Sequence, residues 1–131
     1  MPDHQATCSC GKLIARVRGE PVRISICHCL ACQKRTGSVF SAQARFASDA
    51  VTIEGRSKEY VRIAESGNTT RFQFCPECGS TVFWQFDALP GFITVTVGAF
   101  ADPNFPQPHV SVYEEYRHPW VHLPDGIEHL D

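Results

Sequence analysis

Polar and apolar positions alternate along most of this chain. Leu13, Ala15 and Val17 interleave with Ile14, Arg16 and Arg18, and Val22, Ile24 and Ile26 interleave with Arg23 and Ser25. Successive side chains of a strand point to opposite faces, so this period-2 pattern marks strands with one buried face. Similar segments cover Val39–Phe46, Val51–Glu54, Glu59–Ile63, Thr69–Phe74, Thr81–Phe86, Phe92–Val97 and Val110–Tyr116. Several are rich in β-branched and aromatic residues, which suit a pleated surface. Gly19-Glu20-Pro21, Gly55, Ser66-Gly67-Asn68 and Leu89-Pro90-Gly91 punctuate them as turns. A helix is predicted only near Leu30–Arg35, for one or two turns ended by Gly37. The stretch Asp102–Pro108 carries three prolines, which remove ladder donors, and reads as an ordered surface loop. Many short strands at close spacing predict an all-β fold.

Composition adds limits. The 131 residues fit one domain, 1–131, with a single core, and 43% hydrophobic against 20% charged residues is ordinary for a soluble globular protein. Acidic residues outnumber basic ones, 14 to 12, so no basic face is expected and nucleic acid is not an expected partner. The basic pair Lys34-Arg35 reads as solvated. No apolar stretch approaches the roughly 18 residues of a membrane helix. Met1-Pro2-Asp3-His4-Gln5 lacks the basic start and apolar run of a signal peptide. No membrane partner is expected, and the expected location is the cytoplasm.

The seven cysteines change the picture more than charge does. In a reducing compartment they are poor candidates for disulfides, and an odd number cannot pair fully. They fall into three clusters: Cys8-Ser9-Cys10-Gly11, Cys27-His28-Cys29-Leu30-Ala31-Cys32, and Cys75-Pro76-Glu77-Cys78-Gly79-Ser80. Cys-x-x-Cys-Gly is a tight turn that aims two sulfurs at one point, half of a tetrahedral zinc site. Cys8 and Cys10 offer the other half, because residues i and i+2 of an extended chain share a face. Joining the two halves clips the N-terminal region to the middle of the chain, and closing so long a loop restricts the unfolded state. A thioredoxin-like redox pair at Cys75 and Cys78 is the competing reading; it needs a helix after the motif, whereas Thr81–Phe86 reads as a strand.

In the second cluster Cys27 and Cys29 share a face if the segment is extended, and Cys32 can return to the same point after a tight turn. Three thiolates leave a fourth tetrahedral position for water or substrate, the pattern of a catalytic zinc. His28 would point the opposite way, while His109, His118, His122 and His129 remain candidates to close the site. Three thiolates around one dication leave net negative charge, so such a zinc favours delivery of a bound thiolate over making hydroxide. No general base is singled out; Glu54, Glu65 and the histidines are candidates.

These motifs, in this order, resemble the glutathione-dependent formaldehyde-activating enzyme family, whose domain is shared with centromere protein V. The resemblance extends to Thr36-Gly37, Phe74 and Phe83-Trp84, then to Gly98 ahead of Asp102-Pro103, Pro108-His109-Val110 and Pro119-Trp120. It implies two zinc ions per chain: a structural one on Cys8, Cys10, Cys75 and Cys78, and a catalytic one on Cys27, Cys29 and Cys32. It implies a mostly antiparallel β-tent, and a carbon–sulfur lyase reaction that joins formaldehyde and glutathione into S-hydroxymethylglutathione. The implied partner is a small thiol or aldehyde, and a homo-oligomer is compatible with it. No arginine pair stands out for the two carboxylates of glutathione; Arg35, Arg45 and Arg71 are candidates by position alone. Two other classes stay open: a non-catalytic, zinc-stapled β module that binds a partner, and a thiol redox enzyme such as a sulfoxide reductase.

Overall fold

A computed structural model describes residues 3–130. Its strands are β1 (His4–Thr7), β2 (Ile14–Val17), β3 (Arg23–Cys27), β4 (Ser41–Ala47), β5 (Val51–Glu54), β6 (Lys58–Ile63), β7 (Thr69–Phe74), β8 (Thr81–Phe86), β9 (Phe92–Thr96), β10 (Val110–Val112) and β11 (Glu128–Leu130). The one α-helix, α1, runs Leu30–Thr36 and ends at Gly37 in the left-handed conformation. Three short 3-10 turns complete the secondary structure. The mostly β architecture agrees with the alternation in the sequence. No helix of the described residues is long and apolar enough to cross a membrane.

The strands form two sheets. A three-stranded sheet has the order β1-β2-β5, and an eight-stranded sheet has the order β11-β10-β3-β4-β9-β8-β7-β6. All pairings are antiparallel except those of β10, which runs parallel to both β3 and β11. The core lies between the two sheets. Ala6, Ala15 and Val17 face it from the small sheet, and Ile24, Ala44, Phe46 and Val95 from the large one. Their neighbours Arg16 and Arg45 fall on outer faces, as period 2 requires. Burying side chains such as Phe46 and Val95 contributes about 1.5–3 kcal/mol each relative to exposure.

The proline-rich loop is ordered, as expected. Phe105 from this loop stacks on Phe100, 4.6 Å between ring centroids, and both join the core. Two expectations need adjustment. The segment read as a strand over Val110–Tyr116 stays extended only to Val112; Tyr113 takes a left-handed φ of 57° and a 3-10 turn follows over Glu114–Tyr116. Strands β1 and β11 were not legible in the alternation, because each is short and β11 is wholly exposed.

Candidate metal centres

The four cysteines of the first and third clusters meet at one point. Cys8, Cys10, Cys75 and Cys78 place their sulfurs within 4.8 Å of one another. The Cys8–Cys10 and Cys10–Cys75 separations are each 3.6 Å. A tetrahedral zinc site with Zn–S near 2.3 Å sets its sulfurs about 3.8 Å apart, so the spacing fits such an ion.

Local backbone makes this geometry. Cys8 lies just past β1, and its amide bonds Leu13 O at 3.0 Å while Leu13 N donates to Cys8 Sγ at 3.2 Å. Cys75 follows β7, whose pairing with β8 is interrupted at Gln73/Phe74 by a bulge that re-aims the strand end. Gly79, at φ 80°, closes the turn by donating its amide to Cys75 O at 2.8 Å, and Glu77 N donates to Cys75 Sγ at 3.4 Å. The chain after this turn enters β8, not a helix, which removes the structural context of a thioredoxin-like pair.

Cys27, Cys29 and Cys32 form the second group, also within 4.8 Å of one another. Cys27 ends β3, Cys29 is the extended N-cap of α1, and Cys32 lies in the first turn. The Cys32 amide donates to Cys29 Sγ at 3.3 Å. Hydrogen bonds from Cys27 and then Cys32 pull the Cys29 thiol down to about 2, and the same contact pushes Cys27 up.

Among the described residues, no histidine or carboxylate joins either group. His28 stays out of the three-cysteine group, in keeping with its position between Cys27 and Cys29; it is fully buried, and its Nε2 lies 3.1 Å from Ser111 Oγ. His118 Nε2 is engaged with Gln33 Oε1, and His129 with Glu114. Each cysteine group could hold a metal ion, and the donors are soft thiolates that suit zinc.

The two groups differ in surroundings. In the four-cysteine group Cys8 and Cys75 are buried within the core while Cys10 and Cys78 are exposed. In the three-cysteine group Cys27 is buried and Cys29 and Cys32 are half-buried, and all three line a cleft of ≈ 790 Å³ on the outer face of the large sheet. Phe72 and Trp84 line its floor, and Tyr113, Tyr116 and Leu130 its rim. Arg35 reaches from α1 across this floor: its guanidinium stacks 4.3 Å from the Trp84 ring centre, donates to Ser41 Oγ at 3.0 Å, and lies 4.0 Å from Cys32 Sγ.

Of the arginines singled out by position, Arg45 lines the cleft, while Arg71 is paired with Asp87 and Glu59. Arg23 and Arg62 also line it and were missed. The signal for Arg23 was present, since period 2 puts Arg23, Ser25 and Cys27 on one face of β3. Of the candidate bases, Glu54 is tied to Arg16 on β2 and Glu65 lies at the cleft edge.

Two sheets joined by one cysteine group, with a second group open to a cleft, define a cysteine-rich β protein with two candidate metal centres. A model of the glutathione-dependent formaldehyde-activating enzyme family matches residues 3–116, and the chain belongs to that family. No curated protein matches the chain. A crystal structure of a Rhodobacter sphaeroides protein has a similar fold, with a TM-score of 0.57 at 20% identity over 78% of this chain and 90% of that one.

Proposed function

We propose that the protein is a zinc-dependent carbon–sulfur lyase acting on adducts between a thiol and a small aldehyde. Two zinc ions per chain are assigned, a structural one on Cys8, Cys10, Cys75 and Cys78 and a catalytic one on Cys27, Cys29 and Cys32. The observation that carries this reading is the convergence of three sulfurs, without a fourth donor among the described residues, at the wall of an open cleft. A scaffold that only staples sheets has no need of an incomplete ligand set facing solvent.

Zinc bound there would hold a substrate thiol as thiolate and polarise an aldehyde oxygen. The chain's own groups do the rest. The Cys32 amide orients Cys29, and Arg35 sets one positive charge beside Cys32. Phe72 and Trp84 form an apolar floor that limits water around the adduct. In the forward direction the thiol sulfur bonds the carbonyl carbon and the thiol proton passes to the carbonyl oxygen; cleavage reverses both. Seven thiols used as ligands fit a reducing compartment such as the cytoplasm.

Exchange spectroscopy of formaldehyde with glutathione, and then with cysteine, tests the reading. The zinc-loaded protein should speed adduct exchange above the spontaneous rate, and Cys29→Ser should abolish the gain. No acceleration with either thiol, from protein carrying both ions, would leave the partner-binding module as the better account.

A further inference from the structure

One sheet edge is open in a way the others are not. The outer strands of the two sheets are β1, β5, β6 and β11. β1 and β5 have four residues and β11 has three, and short strands are a common way to blunt an edge. β6 has six residues and no proline, and the bulge nearby lies in the β7–β8 pairing. β7 pairs one side of β6, and no described strand pairs the other.

The hairpin between β6 and β7 fixes which backbone groups are free. Ala64 N donates to Asn68 O at 2.9 Å, and bonded pairs recur at every second residue of an antiparallel ladder. Lys58, Tyr60 and Arg62 therefore turn their backbone groups toward β7, and Glu59, Val61 and Ile63 turn theirs outward. The side chains add apolar surface: Tyr60, Val61 and Ile63 are 59%, 40% and 71% exposed. Charges often guard such an edge, but here they leave its centre clear. The Glu59 carboxylate is held by Arg71 and Gln73, and Arg62 lines the cleft.

We propose that β6 pairs antiparallel with β6 of a second copy, about a two-fold axis at Val61, joining the two large sheets into one. Glu59, Val61 and Ile63 then face the partner's Ile63, Val61 and Glu59, so all the outward backbone groups of the strand are used. Charge selects this register. A two-fold axis at Tyr60 would set Lys58 opposite the partner's Arg62, and one at Arg62 would set that residue against itself; like charges directly opposite destabilise a sheet. The axis at Val61 sets Arg62 opposite the partner's Tyr60. Tyr60 stacks on Phe72 and so stands on the cleft face, where a guanidinium beside an aromatic ring is attractive. The axis is perpendicular to the sheet, so both clefts open on one side and each Tyr60 extends the β6 wall of its neighbour's cleft. One strand pair is a small interface, so the dimer is weak, with a Kd of about 10–100 µM.

Sedimentation equilibrium of the zinc-loaded protein, from about 1 µM to 1 mM, tests the pairing and should show a reversible monomer–dimer equilibrium. Val61→Pro removes an outward donor that β7 does not use, and Val61→Lys sets two like charges together on the axis. Each should raise Kd about tenfold or more, with the circular dichroism spectrum of the wild type. Cysteine variants under mild oxidation read the register. Directly opposed residues of a bonded pair have Cα atoms about 5.5 Å apart, within disulfide range, so Val61→Cys should give a covalent dimer with peptide masses that place the bond between the two introduced thiols. Ile63→Cys, about 13 Å from its copy across the axis, should not.

A monomer throughout the concentration range, a Kd untouched by both Val61→Pro and Val61→Lys, or equal crosslinking of Val61→Cys and Ile63→Cys overturns the pairing. Should either Kd variant fail to fold, the cysteine variants still decide. Every readout is of mass or crosslinking, so the dimer and the lyase reading fail separately.

Discussion

Cys10 Sγ and Cys75 Sγ lie 3.6 Å apart although 65 residues separate them in the chain. This contact joins the end of β1 to the end of β7, and hence the three-stranded sheet to the eight-stranded one. A metal ion at that point would tie together elements otherwise joined by hydrophobic packing and by the hydrogen bonds of Ser9 with Ser80.

Cys75→Ser and Cys29→Ser should therefore differ in kind. Structural zinc sites contribute about 10–16 kcal/mol of apparent binding free energy, comparable to or above the roughly 5–15 kcal/mol stability of a whole domain. Cys75→Ser should lose cooperative melting. Cys29→Ser should melt within a few degrees of the wild type, with loss of thiol–aldehyde exchange. Equal melting curves for the two variants would reverse the assignment of roles.

Metal should leave the two centres in order. The three-cysteine group has one ligand fewer and opens into the cleft, so a mild chelator should take its zinc first and leave about one ion per chain. Cys27, Cys29 and Cys32 should then become reactive toward a thiol probe, and prolonged air exposure should convert two of them to a disulfide detectable by peptide mass. Labelling of Cys75 before Cys29 would contradict this order.

Gly55→Ala should damage the four-cysteine centre from a distance. A Cβ at Gly55 would stand 1.9 Å from the carbonyl oxygen of Lys12, and the backbone there has φ +91°. Leu13, next in the chain, bonds both the backbone and the sulfur of Cys8. The variant should lose at least about 2 kcal/mol by chemical denaturation, and release zinc from this centre faster. Unchanged stability would mean that the β5 turn can move without disturbing the Cys8 loop.

Arg35→Lys should keep the charge and lose the stack on Trp84 and Phe72, where the guanidinium lies 4.3 and 5.1 Å from the ring centres. Cation–π contacts are worth about 0.5–2 kcal/mol, so the melting temperature should fall by a few degrees. Because Arg35 also adjoins Cys32 Sγ, zinc should be retained less well at the open centre than at the closed one. Equal loss from both centres would mean that Arg35 acts on the fold as a whole.

The sequence by itself determined the all-β class and the way each short cysteine motif aims its sulfurs, because both are local in origin. Alternation is written residue by residue, and Cys-x-Cys, Cys-x-x-Cys-Gly and the β3–α1 turn aim their sulfurs over a few bonds. Only the tertiary structure decided the rest. The parallel pairing of β10 with β3 and β11 depends on where the long proline-rich loop delivers the chain, which no alternation encodes. The meeting of Arg23 with Arg45 depends on the register of β3 against β4, and a one-residue slip would send one of them to the opposite face. The core requires Ala44 and Phe46 on the buried face, so the same register that fills the core also brings the two arginines together in the cleft.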